Sequence, residues 1–259
     1  MKRPLILVTN DDGISASGIR NLIRIMNDFG DVVVVAPDGP QSAMGHAITI
    51  DSILRCDKIV IDKGPQKEYA CSGTPVDCVK LAVNQLLERK PDLCVSGINH
   101  GSNSSINVIY SGTMSAAVEA ALEGIPSIGF SLLDYAHDAD FSESEIYIRK
   151  VTQSVLDKGM DAGVCLNVNI PKIKEDLAIK GIKVCRQANA NWEEQFEKRV
   201  DPKGRTYYWL TGKFVNYDKG TDTDEWALAN HYVSIVPVQF DITAYPSISS
   251  LNNIFSNDE

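Results

Sequence analysis

Through the first half of the chain, short apolar runs alternate with segments of helical period, the pattern of a parallel sheet covered by helices. Leu5, Ile6, Leu7 and Val8 read as a buried strand, and Ile19, Leu22, Ile23 and Met26 then recur at i, i+3, i+4, i+7 on one helical face. Residues 32–36 give the next strand. Thr74-Pro75 predicts a helix start, with threonine as N-cap, proline in the first helical position, Asp77 in the first turn, and Val79, Ala82, Val83 and Leu86 on the buried face. Residues 94–98 form a strand, residues 111–122 a helix closed by Gly124 before Pro126, and residues 128–133 another strand. Ser142-x-x-Glu145 is the spacing of a capping box opening a helix as far as residue 156, and a strand over 164–170 follows.

Beyond Gly181 the texture changes. Residues 183–187, 206–210 and 233–238 read as strands joined by polar stretches without obvious helices, an antiparallel excursion rather than more of the layered core. Residues 247–259 read as a polar, loosely held tail. The expected fold class is therefore α/β, a parallel-sheet core with helices on both faces over residues 1–180 and a β-rich C-terminal extension over 181–259.

Composition narrows the function classes. With 259 residues, 44% hydrophobic and 23% charged, the chain suits one large α/β domain and neither a disordered nor a fibrous class. A net charge of −9 argues against a grip on nucleic-acid polymers, which rests on a basic face, while a single nucleotide carried with a metal remains compatible. The N-terminus reaches acidic residues after one short apolar run, so neither signal peptide nor membrane span is read there, and the expected location is cytoplasmic. The six cysteines include no CxxC pair, which argues against zinc or disulfide frameworks and leaves them as small core residues.

In open parallel sheets ligands bind beyond the carboxyl ends of the strands. Three polar clusters fall there: Thr9-Asn10-Asp11-Asp12-Gly13, Pro40-Gln41-Ser42-Ala43-Met44-Gly45-His46, and Ser96-Gly97-Ile98-Asn99-His100-Gly101-Ser102-Asn103. Adjacent side chains on a strand face opposite ways, so both aspartates serve one site only where the chain turns off the strand, as Gly13 permits. Their mutual repulsion calls for a cation, and a hard divalent ion takes the oxygens that Asp11, Asp12, Ser42 and Asn99 offer. The plainer alternative is that Asn-Asp-Asp-Gly is a surface turn, Ser42 a loop hydroxyl and Asn99 a turn residue.

Tyr110-Ser111-Gly112-Thr113-Met114 opens a helix whose free N–H groups and dipole suit a phosphate, or Ser111 simply caps it. Neither a Walker A loop nor a G-x-G-x-x-G after the first strand is present. His46 and His100 lie in the site loops, as proton carriers, substrate contacts or incidental residues; His137 and His231 have no supporting context. For Trp192, Trp209 and Trp226 the default is core or oligomer packing.

Taken in order, ILVTNDDG, the APD…QS loop, SGTPVDCV, SGINHGSN, YSGT, LNVNIP, GTDTDEWAL and YVSIVPV resemble the SurE family of stationary-phase survival proteins, metal-dependent 5′/3′-nucleotidases, over residues 4–238. The resemblance implies a Rossmann-like core and a C-terminal extension used for oligomerisation, as a homodimer with exchanged segments or a homotetramer. It also implies one Mg²⁺ or Mn²⁺ per subunit on Asp11, Asp12, Ser42 and Asn99, with Ser111, Gly112 and Thr113 near the phosphate. Asn10, His100 and Asn103 are further candidates for contact with phosphate or substrate. Two positions depart from the common pattern: Asp38-Gly39-Pro40-Gln41 lacks the arginine many relatives carry, and Ser115 replaces a frequent glycine.

The expected activity is hydrolysis of nucleoside 5′- and 3′-monophosphates, and of short polyphosphate, by attack of a metal-activated water. The expected partner is thus a nucleoside monophosphate, with no nucleic-acid polymer and no membrane. A covalent aspartyl-phosphatase would use Asp-x-Asp, and here the aspartates are adjacent. The alternative from a different class is a non-catalytic nucleotide-binding regulatory protein.

Overall fold

The computed structural model describes residues 2–136, 138–172 and 177–255; His137 lies outside them. The chain runs β1 (Leu5–Thr9), α1 (Ser17–Met26), β2 (Asp31–Pro37), β3 (Cys56–Ile59), β4 (Lys67–Cys71), α2 (Pro75–Leu81), β5 (Leu93–His100), α3 (Gly112–Leu122), β6 (Ser127–Leu132), α4 (Glu145–Lys158) and β7 (Val164–Ile170). It continues through β8 (Ile182–Val184), β9 (Ala190–Val200), β10 (Thr206–Asn216), α5 (Asp224–Ala229), β11 (Val233–Gln239) and α6 (Tyr245–Phe255).

Period-two alternation in the central strands sends side chains to two faces. Ile6, Val8, Val32 and Val34 pack with Ile19, Leu22, Ile23 and Met26 of α1 and with Ile148, Val151 and Val155 of α4. Leu7, Val33 and Val35 pack on the other side with Cys78 and Val79 of α2 and with Ala116 and Ala120 of α3. Each large aliphatic side chain so buried contributes about 1.5–3 kcal/mol. This is the expected α/β fold, with helices on both faces of a sheet ordered β3-β4-β2-β1-β5-β6-β7-β11-β8. The strands from β4 to β7 run parallel; β3 is antiparallel to β4, and β11 is antiparallel to β7. Because β1 has β2 on one side and β5 on the other, the order reverses there, and the crevice beyond its carboxyl end is the place such sheets bind ligands.

The Thr74 cap forms as expected: its hydroxyl accepts from the Asp77 N–H at 3.1 Å while the Asp77 carboxylate accepts from the Thr74 N–H at 2.9 Å. Past α2 the chain widens into a π turn over Ala82–Leu86, which leaves Val83 and Leu86 only partly buried. At Ser142 the expected capping box is absent. The Ser142 N–H and hydroxyl both donate to Asp140, residues Ser142–Ser144 form a 3-10 turn, and Glu145 turns to Arg24 and Arg149, so the helix starts at Glu145.

Past residue 180 the layered sheet continues, since β8 and β11 join it. Only β9 and β10 form a separate antiparallel ribbon. Two helices appear where loops and a tail were expected. At α5 the Thr223 hydroxyl accepts from the Trp226 N–H at 3.1 Å. At the C-terminus Tyr245–Phe255 is helical, and residues 256–259 lie outside the described set. Trp226 is partly buried and stacks on Tyr232, whereas Trp192 and Trp209 are largely exposed. Among the described residues no helix is long and apolar enough to cross a membrane.

Candidate active site

Where β1 ends, the Asn10 side-chain amide donates to the Gly13 carbonyl at 2.9 Å and closes a turn. Gly13 has φ +98°, a conformation that disfavours any side chain. The turn carries Asp11 across to the start of α3, where the Thr113 hydroxyl donates to Asp11 Oδ1 at 2.5 Å. A Cβ on Gly112 would stand 2.6 Å from Asp11 Cβ and 2.9 Å from its Oδ2, so glycine is what lets the helix approach the carboxylate so closely.

Asp11 is 5% exposed. Burial pushes its carboxyl up to about 6; the Thr113 hydroxyl opposes the rise and the neighbouring Asp12 charge adds to it. Asp12 is also raised by burial and is pulled back by the charge and backbone N–H of His100. Its Oδ2 is buried with no hydrogen-bond partner, as is Asn10 Oδ1. Unpaired buried oxygens of this kind cost about 1–3 kcal/mol each, and more when charged.

The loop between β2 and β3 brings Ser42 to this edge. Gln41 N–H donates to the Asp11 carbonyl at 2.7 Å, and the next residue, Ser42, is exposed. Four further ties fix the loop: Gly45 N–H to the Tyr110 carbonyl at 3.3 Å, the His46 ring to Glu119 at 2.8 Å, the Ala47 carbonyl to the Thr74 hydroxyl at 2.7 Å, and Thr49 to Asp77 at 3.0 and 2.6 Å. Asn99 reaches the edge by an irregularity. The register of β5 on β6 slips between Ser96 and Asn99, around Gly97 at φ +123°, where a Cβ would meet the Phe130 carbonyl at 2.3 Å. The Asn99 amide nitrogen donates to the Gly101 carbonyl at 3.0 Å, so its side-chain oxygen is the atom that could hold a metal.

The remaining candidates divide. Ser111 caps α3, its hydroxyl accepting from the Met114 N–H at 3.0 Å, so the cap and the phosphate readings share one residue. The His100 ring is held between Ser17 Oγ at 3.3 Å and the Ala136 carbonyl at 3.1 Å, with Phe141 edge-on. Asn103 is drawn into a buried amide network: its N–H donates to Asn169, its side chain to Ser131, and its carbonyl accepts from Asn167, each at 2.8 Å. That network anchors the loop after β5 and occupies the Asn103 donor.

Several supporting residues lie outside the three polar clusters at the strand ends. Glu119 is 2% exposed on α3 and takes both His46 and Lys80, whose hydrogen bonds hold its carboxyl low against the opposing effect of burial. A lone acid on the buried, alanine-rich face of a helix was the available hint. Asp224 of α5 accepts the N–H of Ser105 at 2.7 Å and of Ala188 at 2.9 Å, and Glu225 accepts the Ser104 hydroxyl at 2.5 Å.

Among the described residues no group of three His, Cys, Asp or Glu is placed to hold a metal. The donor set here is different: two carboxylates, an amide oxygen and a hydroxyl, chemistry that suits a hard, oxygen-preferring divalent cation, and the orphaned Asp12 Oδ2 fits such a partner.

The fold and this edge together define an α/β protein with two adjacent carboxylates at the switch point of its sheet, the buried one, Asp11, set against a helix N-terminus. The family model described as Survival protein SurE matches residues 6–194, and the chain belongs to the SurE family. It is 68% identical over 253 residues to a protein of Flavobacterium psychrophilum named 5′-nucleotidase SurE, covering 98% of each chain. It is 66% identical over 258 residues to one of the same name from Christiangramia forsetii, covering 99% of each. The crystal structure of the SurE protein from Aquifex aeolicus superposes with a TM-score of 0.83 at 38% identity, covering 97% of this chain and 99% of that one.

Proposed function

We propose that this chain is a divalent-metal-dependent phosphomonoesterase that hydrolyses nucleoside 5′- and 3′-monophosphates to nucleoside and phosphate, with short polyphosphate as a further substrate. The observation that carries the reading is the buried Asp11 carboxylate against the first turn of α3, with the adjacent half-buried Asp12 leaving one oxygen unpartnered. The name 5′-nucleotidase on relatives of such high identity supports the nucleotide as substrate.

Asp11, Asp12, Ser42 and Asn99 would hold one Mg²⁺ or Mn²⁺, which when bound supplies positive charge against the phosphate and acidifies a water. The chain's own groups do the rest. The Thr113 hydroxyl fixes the Asp11 carboxylate, and the Asn10 side chain fixes the turn that presents both aspartates. Backbone N–H groups at Gly112 and Thr113, at the positive end of α3, receive phosphate oxygens as charge develops on them. Ser111, accepting from Met114 through its oxygen, keeps its O–H to donate to the same phosphate. The leaving oxygen needs a proton, and His100, oriented by Ser17 and Ala136, is the candidate donor beside water.

The test is phosphate release from 5′- and 3′-AMP and GMP with Mn²⁺ or Mg²⁺ titrated against a chelator. Release that requires the ion and is lost in Asp11→Asn supports the reading. Turnover unchanged by chelation or by that substitution overturns it, nucleotide binding without release returns the regulatory alternative, and phosphate trapped covalently on Asp11 the aspartyl-phosphatase.

In the same reading the chain is a homodimer or homotetramer. Helix α6 has no buried residue and exposes Tyr245, Ile248, Leu251, Ile254 and Phe255, and the β9–β10 ribbon exposes Phe196, Tyr208, Trp209 and Leu210. Apolar surface of this extent is normally covered by a partner. The unpaired thiols among the described residues suit the cytoplasm. Light scattering of the purified protein checks the assembly, and a monomer at micromolar concentration would reject it.

A further inference from the structure

Three cysteines outside the site pack together on the α2 and α3 face of the sheet. Cys56 of β3 and Cys71 of β4 are direct cross-strand partners, and Cys78 of α2 lies in the same apolar cluster. Cys71 and Cys78 are fully buried, whereas Cys56 is partly exposed. The Ser72 N–H donates to the Arg55 carbonyl at 2.9 Å, so that pair is the hydrogen-bonded one and the next, Cys56 with Cys71, is the pair without ladder bonds. In such pairs the Cα atoms stand about 4.5 Å apart with the side chains at their closest, and disulfides span Cα separations of about 4.4–6.8 Å.

Hydrogen bonds from Cys78 and Cys56 hold the Cys71 thiol down to about 7 against the effect of burial. Burial and the bond to Cys71 push Cys56 up to about 12, and Cys78 is raised as well. Burial and the thiol contacts thus set Cys71 low and its two neighbours high.

We propose that Cys56 and Cys71 are an oxidation site, closing to a reversible intramolecular disulfide when the protein meets a hydroperoxide. Cys56, the exposed member, is where oxidant enters after passing its proton to the cluster. Its thiolate attacks the peroxide oxygen; the O–O bond breaks, a sulfenic acid forms on Cys56, and the departing hydroxide takes the proton and leaves as water. Cys71 sulfur then attacks the Cys56 sulfur, the S–O bond breaks, and a second water leaves with the remaining proton. Two thiols have lost two electrons to one peroxide. The bond sits where the Ser42-bearing loop enters β3, and the Cys71 carbonyl also accepts the Asp38 N–H at 2.8 Å, so oxidation ties both ends of that loop to one strand pair.

The full-length protein, reduced, desalted and exposed to hydrogen peroxide, is denatured in iodoacetamide and mapped by mass without reductant. Of the six cysteines in the sequence, two should escape alkylation, leaving four, with the Cys56 and Cys71 peptides joined at a loss of two hydrogens and separated again by dithiothreitol. Cys71→Ser should abolish the link and leave a dimedone-reactive sulfenic acid on Cys56. If Cys71→Ser does not fold, Cys56→Ser, at a partly exposed position, should protect all remaining thiols. Six alkylatable thiols in the wild type after peroxide sufficient to oxidise free cysteine, or a link of Cys71 to Cys78 instead, would overturn the proposal.

Discussion

Thr113→Val removes one buried hydroxyl while keeping the side chain's shape, and so isolates what holds Asp11 in place. Thr113 is 0% exposed and Asp11 5%, so water cannot replace the lost bond to Oδ1. A hydrogen bond to a charged group in such a setting is worth about 1.5–3 kcal/mol. For a chain of this size that is roughly 3–10 °C in the melting temperature. The sign depends on pH. Asp11 is raised to about 6 in the fold, so its burial penalty is fully present above that value and vanishes below the unfolded carboxylate range. Losing the hydroxyl raises Asp11 further, and the variant's deficit in metal-free protein should therefore be larger at pH 8 than at pH 5. In phosphate-release assays, loss of a group that orients a metal ligand should weaken the half-saturating Mn²⁺ concentration by about 10–100-fold. Thr113→Ser, which keeps the hydroxyl, should recover most of both effects. Equal melting temperatures for wild type and Thr113→Val at both pH values, together with Mn²⁺ half-saturation within about twofold, would show that the hydroxyl does not hold the carboxylate.

Gly112→Ala drives a Cβ to 2.6 Å from Asp11 Cβ, so kcat/KM should fall by at least about 100-fold, with circular dichroism unchanged; near-wild-type turnover would refute the close approach. At Gly97, alanine meets both φ +123° and the Phe130 carbonyl at 2.3 Å, and urea unfolding should register a loss above about 2 kcal/mol. Glu119→Gln should loosen the Ser42 loop, read as faster limited proteolysis between residues 38 and 55. Because the fold depresses the Glu119 carboxyl, its contribution is present above the ordinary glutamate range and is lost as pH falls through the lower folded value. The acid limb of the melting profile, from about pH 5 to 3, should be shallower in Glu119→Gln than in wild type.

The apolar pattern made the parallel core legible because its strands are buried on both faces and its helices carry continuous stripes; Ile19, Leu22, Ile23 and Met26 all pack as their spacing indicates. What failed in the C-terminal third failed for physical reasons. The β9 sequence Ala-Asn-Trp-Glu-Glu-Gln-Phe-Glu-Lys-Arg-Val leaves ten of its eleven residues exposed, so no buried face marks it as a strand. Helix α5 is only six residues long, too short for a period to appear, although its Thr-Asp-Glu start is a cap signature. The capping box at Ser142 was lost to Asp140, two residues upstream, a competition that spacing alone does not reveal. Of the candidate site, Asp11, Asp12, Gly112 and Thr113 could be singled out because the chemistry needs their residue types where strand meets loop and loop meets helix. Glu119 stayed hidden and Asp77 was legible only as a first-turn acid, since their hold on the loop depends on His46 and Thr49 arriving from a segment with no regular structure.

The way this edge is built sets function against stability. Asp11 is raised by burial, Asp12 and Asn10 each leave an oxygen unpaired, and all three follow one strand end. A fold under no other demand would replace such groups with apolar residues or give them partners. Here the surrounding structure over-determines the geometry instead. The Thr113 hydroxyl and the bare Gly112 backbone fix Asp11 from α3, the Gln41 amide fixes its carbonyl from the loop after β2, and Glu119 pins that loop through His46. Strand β1, helix α3 and the loop therefore move as one unit only while these polar ties hold. Weakening the Glu119 latch should thus lower metal affinity from a distance, whereas weakening Thr113 should lower it directly. A double substitution should lose less than the sum of the two single losses, because both ties act on the same residue, Asp11, one through its carboxylate and one through its backbone carbonyl.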